Sequence, residues 1–462
     1  MLAALKRLPR FVAIALAVAF LLRLLVIALA FTPLPRLLGF SAKDEFPYYQ
    51  PQSDETFYRD VAEVPSRLFI LEHRGGWGVT TIGPVYPLFL APFFALIPDS
   101  AAAVQFTAIR VSQALIDTLS ALVLYLLGQR LFDERAARVA LAVQALDIRY
   151  MLQAGTLMTE TLYLFGLLLF FLLYVRAANQ ERMGLFRAAG AVLGFTVLLR
   201  PIPLLFPLAL GIHAWFHPHR RAVALKGLAW LVGMMLLVLA PWQARVYIVT
   251  GDLLPVSKTG IVHLWLASRE DGQQLGAETL ESERSEEVGP DQQDGSGPGQ
   301  VAFVQAALGN ILEAPARWAG RILRDTLTAY LQPYGTVIAI YQDTGISLKQ
   351  ATMDLLAGRL ALADYLRIPY LGRRILIYIW HYGCLLGGLV GIALLLWRRE
   401  VWGHLPLLLW IIYVTAVSAL LLVEPRYLFP LMFALTLYAA YAAVTLWETF
   451  RHRSVLPAQE VA

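Results

Sequence analysis

Ten stretches of this chain are apolar, most of them long enough to cross a lipid bilayer: residues 11–32, 104–129, 137–153, 161–178, 186–199, 201–216, 222–242, 371–397, 403–423 and 427–448. A spanning helix needs roughly 20 mostly apolar residues, because the hydrocarbon core is about 30 Å thick. No water reaches the backbone there, so each stretch must satisfy its own hydrogen bonds as a helix. The chain is thereby expected to be an all-α polytopic membrane protein. Composition agrees: 58% of the 462 residues are hydrophobic and only 15% charged, against about 25% charged in a soluble chain. The N-terminus, MLAALKRLPRFVAIALAVAFLLRLLVIALAF, opens like a signal peptide. Its apolar run exceeds a signal core and no small-residue cleavage site follows, so it reads as a retained first span. The stretch YPLFLAPFFALI at 86–97 is too short to cross and reads as a re-entrant or interfacial helix.

Positive charge orients these spans. Lys6, Arg7 and Arg10, then Arg130, Arg135 and Arg138, the stretch from Arg176 to Arg187, HPHRR (217–221), WRRE (397–400) and RHR (451–453) all fall on one face. The positive-inside rule makes that face cytoplasmic, with both termini. Counting 86–97 as a full span would put the clusters from 129 to 187 outside, which supports the re-entrant reading. Arg373 and Arg374 fall on the outer side and are the main exception. The net charge of +5 therefore speaks of topology, and no nucleic-acid partner is expected. A single cysteine, Cys384, excludes an internal disulfide and any cysteine metal cage.

The layout gives three regions: 1–242, a membrane module whose first outer loop spans 33–103; 243–370, an extracytoplasmic loop region; and 371–462, the last spans and a cytoplasmic tail. Within the second, GAETLESERSEEVGPDQQDGSGPGQ makes 271–300 an expected disordered stretch. The later RWAGRILRDTLTAYLQPYG (317–335) has the apolar spacing of an interfacial helix.

QPQSDETFYRDVAEV (50–64) crowds Asp54, Glu55, Arg59, Asp60 and Glu63 around Phe57 and Tyr58, on the outer side. Ser53 is placed to cap a short helix there, with acids at its positive end. A carboxylate at a membrane surface suits a general base toward an incoming hydroxyl or amine, or a ligand for a divalent ion beside a phosphate. The plainer reading is a solvated loop helix. A second acid, Glu160, stands in LMTETLYLFGLLLFF (157–171) at the outer mouth of a span, with Thr159 as its candidate cap. Ordinary capping accounts for that pair, whereas ionisable residues at a membrane border are usually functional or paired. Arg200, Arg245, Lys258, His263 and Arg426 with Tyr427 lie on the same side. Singly each cation reads as snorkelling; together they suit a phosphate held at membrane depth.

These motifs, in this order, resemble the type C integral-membrane glycosyltransferases, in the branch of protein O-mannosyltransferases and aminoarabinose transferases. The resemblance covers most of 10–270 and 403–448. It rests on SDETFYRDVAEV, GPVYPLFLAPFFAL, LYLLGQRLFDERAARVALAV, GTLMTETLYLFGLLLFF, GFTVLLRPIPLL, APWQARVYIVTGDLLPVSKTGIVHLWL and PRYLFPLMFAL. It implies a bundle of about ten transmembrane helices plus a re-entrant helix, in a bacterial inner membrane. It further implies a polyprenyl-phosphate sugar donor and inverting transfer, on the extracytoplasmic side, to a lipid, glycan or protein acceptor among membrane lipids. The catalytic base falls on Asp54 and the second acidic site on Glu160. Glu55, Tyr58, Arg59, Tyr86, Arg200, Arg245, Lys258, His263, Arg426 and Tyr427 become candidates for donor phosphate or substrate. A divalent metal ion, if used, would fall to Asp54 and Glu160. Where aminoarabinose transferases carry an acidic–basic pair, TTIGPVYP (80–87) has neither, which leaves the acceptor open.

Two other classes stay in view. A transporter or lipid flippase would bury ionisable residues mid-span or pair broken helices in related halves. Arg23, Asp117 and Asp147 are the few such residues, and Asp147 reads as a local partner of Arg149. An inactive relative serving as a scaffold would keep both acids for packing.

Overall fold

Every described element is helical. The computed structural model describes residues 9–32, 54–63, 83–217, 220–250, 259–269, 297–333, 348–368, 371–399, 401–421, 423 and 425–455. Ser53, Lys258, Glu424 and residues 271–296 of the expected disordered stretch lie outside them. The helices are α1 Arg10–Phe31, α2 Asp54–Glu63, α3 Val85–Leu96, α4 Ala102–Leu131, α5 Glu134–Leu146, α6 Ile148–Gln153, α7 Glu160–Gln180, α8 Met183–Leu199, α9 Phe206–Trp215 and α10 Arg221–Thr250. They continue with α11 Thr259–Ser268, α12 Gly297–Glu313, α13 Pro315–Leu331, α14 Leu348–Leu356, α15 Leu362–Leu366, α16 Leu371–Trp397, α17 Leu405–Leu420, α18 Pro425–Leu428 and α19 Met432–Val455. Residues 297–300 of the expected disordered stretch open α12, where Pro298 sits in the first turn, a place a helix tolerates proline.

Among the described residues, seven helical segments are long and apolar enough to cross a membrane: Arg10–Phe31, Asp99–Leu131, Glu160–Gln180, Arg221–Ile248, Arg374–Trp397, Trp402–Leu420 and Pro425–Arg451. The chain is an integral membrane protein. Met183–Leu199 and Ile202–Trp215 are shorter apolar helices, as is Val85–Leu96, the segment read as too short to cross. The stretch 137–153 is two helices rather than one. Asp147 takes an extended backbone, ends α5 and caps α6 by accepting from the Arg149 N–H at 2.9 Å. A side-chain acceptor that competes for backbone N–H groups interrupts a helix in this way.

Close packing follows small residues, as it must where lipid removes the hydrophobic drive between helices. α8 meets α10 at Gly190, where an added Cβ would stand 2.1 Å from the Leu231 carbonyl oxygen. Among the described residues, the Arg23–Asp117 and Asp147–Arg149 ion pairs lie inside the bundle. Arg23 and Asp117 form a buried ion pair, and Arg23 also donates to the Ala19, Ala145 and Gln144 carbonyls. Asp147 pairs with Arg149, whose Nη1 meets His381 Nδ1 at 3.2 Å. His381 Nε2 in turn reaches the Tyr330 carbonyl at 2.7 Å, tying the end of α13 to α16. α13 has Leu323, Leu327 and Leu331 exposed, in keeping with the amphipathic helix expected there.

Candidate active site

The site is built on the turn 154–157, between α6 and α7. Gln113 of α4 donates to the Ala154 and Thr156 carbonyls at 3.0 and 2.7 Å. Arg110, one turn earlier, donates to Gly155 at 2.9 Å and to the Phe31 carbonyl at the end of α1 at 3.2 Å. Both side chains are buried. So anchored, the turn presents the Leu157 N–H to Glu55, whose carboxylate accepts it at 2.8 Å. Glu55 is 0% exposed. It docks α2 onto the bundle rather than facing solvent, since a buried carboxylate must be hydrogen-bonded. Tyr86 of α3 donates to Gln113 Oε1 at 2.9 Å and packs edge-on to Tyr58, centroids 5.0 Å apart. The close approach of α3 depends on Gly83: a Cβ there would stand 1.7 Å from the Leu198 carbonyl oxygen of α8.

With α2 docked, Asp54 projects from its first turn toward the α17–α19 connection. Arg426 Nη1 donates to Asp54 Oδ2 at 2.8 Å, and Asp54 remains half-exposed, at 44%. The other acid sits at the start of α7. Arg200, the residue that ends α8, donates to Glu160 Oε1 at 2.6 Å and to Thr159 Oγ1 at 2.7 Å. Thr159 occupies the N-cap position without a capping hydrogen bond. The cap expected of Thr159 is therefore not formed: its backbone is already helical, with φ −66° and ψ −20°, rather than in the extended conformation a cap needs, and its hydroxyl accepts from Arg200 instead. The Tyr427 ring lies between the two pairs, 5.8 Å from the Arg200 guanidinium and 5.1 Å from that of Arg426. His263 of α11 faces the same ring at 6.3 Å. Cation–π contacts of this kind contribute about 0.5–1 kcal/mol each when exposed, more when dry.

The electrostatics are those of a half-buried pocket. Burial pushes the Tyr58 hydroxyl up to about 12, with the Arg200–Glu160 and Arg426–Asp54 pairs both acting on it. Tyr58 is thus a neutral hydrogen-bond donor between two ion pairs at physiological pH. His263 is driven down to about 4, first by burial and then by Arg426, against an opposing pull from Asp54. It is a neutral imidazole.

Asp54, Glu160, Glu55, Tyr58, Tyr86, Arg200, His263, Arg426 and Tyr427 thus gather from α2, α3, α7, α8, α11 and α18. Two predicted residues lie apart. Arg59 turns to Asp60 and Glu63 of its own helix, at 2.9 and 3.3 Å. Arg245 lies 4.9 Å over the Trp242 ring of its own helix. Arg110 and Gln113 were not anticipated. Their signal is a row of Arg110, Gln113 and Asp117 in a largely apolar span, a spacing that puts all three on one helix face. For a metal, the donor set does not fit. Asp54 and Glu160 are each held by an arginine, and among the described residues no three His, Cys, Asp or Glu side chains come together to hold an ion.

This arrangement belongs to a known class of fold. The chain is similar to the oligosaccharyltransferase of Archaeoglobus fulgidus in its apo form, with 14% identity and a TM-score of 0.54 over 96% of this chain and 51% of that one. It is similar also to AglB from Archaeoglobus fulgidus in complex with an inhibitory peptide and a dolichol-phosphate, with 17% identity and a TM-score of 0.50 over 97% of this chain and 51% of that one. The chain spans about half the length of these proteins. ArnT from Cupriavidus metallidurans bound to undecaprenyl phosphate is matched at a TM-score of 0.37, with 16% identity over 94% of this chain and 77% of that one. The chain therefore has the type C glycosyltransferase fold. Within it, residues 82–244 match the family described as dolichyl-phosphate-mannose-protein mannosyltransferase, the stretch that holds Tyr86, Gln113, Glu160 and Arg200. No curated protein sequence matches the chain.

Proposed function

We propose that this protein moves a sugar from a polyprenyl-phosphate donor to an acceptor on the extracytoplasmic face of a bacterial inner membrane, with both termini cytoplasmic. The observation that carries the reading is the joining of Asp54 and Glu160, through Arg426, Tyr427 and Arg200, at one end of a type C glycosyltransferase fold. The dolichol-phosphate of the similar oligosaccharyltransferase complex supports a prenyl-phosphate donor.

In this reading the half-exposed Asp54 takes the proton of the acceptor hydroxyl or amine. The acceptor atom bonds to the anomeric carbon as the bond from that carbon to the phosphate oxygen breaks, and the polyprenyl phosphate leaves with the electron pair. A single displacement inverts the anomeric configuration. Arg426 keeps the Asp54 carboxylate oriented, and Arg200 and Arg426 meet the charge that develops on the departing phosphate. Glu160 holds Arg200 in place, and Tyr58 supplies a neutral O–H between the two pairs. Against the transporter reading, Arg23, Asp117, Asp147 and Arg149 within the bundle are locked into the Arg23–Asp117 and Asp147–Arg149 pairs.

The test is reconstitution with a panel of radiolabelled polyprenyl-phosphate sugars and total membrane lipids. A labelled product with inverted anomeric configuration, lost in Asp54→Asn, is expected. Label drawn only from a nucleotide sugar would overturn the donor assignment.

A further inference from the structure

A second site adjoins the first. α11 carries His263 toward Tyr427, and six residues on, Arg269 lines a separate cavity of about 680 Å³ between α11, α12 and α13. Six residues of helix span about 9 Å, so the cavity and the acidic site are neighbours along one element. α13 also packs against α18, which holds Arg426 and Tyr427. The cavity is lined by Arg269, Arg317, Arg321 and Arg324, with Asn310 and Trp318 beside them.

Arg317, Arg321 and Arg324 are spaced i, i+4 and i+7, which puts three guanidinium groups along one line of α13. Asp325 answers part of this charge, at 3.8 Å from Arg321 and 3.4 Å from Arg324, and Glu313 stands on the rim. The lining thus holds four arginines and one acid, Glu313, with Asp325 just outside it. Guanidinium forks match phosphate oxygens in pairs. The Asn310 amide, which donates to Ser268 Oγ at 3.1 Å, is of a type that can also meet sugar hydroxyls, and the Trp318 indole offers a face to a sugar ring and an N–H donor. Alongside the arginine line run the exposed Leu323 and Leu327 of α13, with Leu308 and Leu312 exposed on α12. Such a surface is suited to lipid chains rather than water.

We propose that this cleft binds a phosphate-bearing sugar headgroup, the acceptor, next to the transfer site. The assignment of acceptor rests on the transferase reading; the binding itself does not. The apolar flank favours a lipid-borne headgroup over a soluble sugar phosphate, and the two sources are separable.

The full chain in detergent is titrated by thermophoresis with dioctanoyl phosphatidylinositol 4-phosphate, glucose 6-phosphate and glucose. Saturable binding of the lipid, and a loss of at least about tenfold in Arg317→Gln/Arg324→Gln, is expected from two charge-assisted contacts. Both side chains are exposed, so the fold tolerates the change. Glucose 6-phosphate binding as tightly as the lipid, with the same loss, would keep the phosphate site and assign it a soluble ligand. No binding of either phosphate, equal binding of glucose, or unchanged binding in the double variant overturns the proposal. Asp54→Asn is titrated in parallel and keeps its binding, so failed transfer and failed binding are read separately.

Discussion

Arg426 Nη1 lies 2.8 Å from Asp54 Oδ2 across 372 residues of chain. The contact joins α2 to α18, and it ties the candidate base to the candidate phosphate ligand. Both side chains keep solvent contact, at 21% and 44%. A pair so exposed adds about 0–1 kcal/mol to stability. Arg426→Gln is therefore expected to shift the melting temperature little while lowering transfer at least about tenfold, since one charge on a departing phosphate is worth several kcal/mol. Thermal unfolding in detergent and the transfer assay, run on the same preparation, check the split.

Arg200 and Glu160 behave differently, because they are exposed by only 11% and 3%. Removing one partner of a buried pair costs about 3–5 kcal/mol, since it strands the other charge. Glu160→Ala is expected to unfold at clearly lower temperature. Glu160→Gln/Arg200→Gln, with both charges gone, recovers much of that stability without recovering transfer. Recovery of transfer in the double variant would remove Arg200 from the phosphate role.

His263 supplies a pH dependence with a definite sign. Its folded-state value of about 4 lies below the ordinary 6.5, so the unfolded chain binds the proton more readily. The stability tied to neutral His263 is complete above pH 6.5 and is lost as pH falls from there toward 4. The melting temperature of the wild type falls over that window, and His263→Gln falls less steeply. Tyr58, at about 12, stays protonated, so it contributes no alkaline limb to the transfer profile below pH 10.

Gly83 tests the scaffold. A methyl group there would collide with the Leu198 carbonyl, two residues before Arg200. Backbone cannot yield as a flexible side chain can, so Gly83→Ala should cost about 1–3 kcal/mol and disturb Tyr86 and Arg200 together. Reduced thermal stability with transfer lowered at saturating donor is the expected signature.

The buried Arg23–Asp117 pair separates the transferase from the transporter reading. Asp117→Asn alone is expected to destabilise strongly, leaving a cation inside the bundle. Arg23→Leu/Asp117→Leu, which removes both charges, should fold and retain transfer. Loss of transfer in a well-folded double variant would give the pair a working role.

The membrane-spanning character of the chain was legible locally. Hydropathy acts over some twenty adjacent residues, and the backbone must form a helix wherever water is absent. The SDETFYRDVAEV and GTLMTETLYL motifs likewise marked Asp54 and Glu160 as worth attention. Sequence alone determined those candidates, because acids at the borders of apolar runs stand out without any partner in view. The tertiary structure alone decided which charges meet. Arg200 turns to Glu160 and Arg426 to Asp54, whereas Arg59, adjacent to the same acids in sequence, pairs along its own helix. It also gave Glu55 a buried docking role and brought in Arg110 and Gln113, two polar residues of an apolar span. Such contacts depend on how helices far apart in the chain are packed, and charge pairing at a few ångströms is set by that packing and not by neighbourhood in sequence.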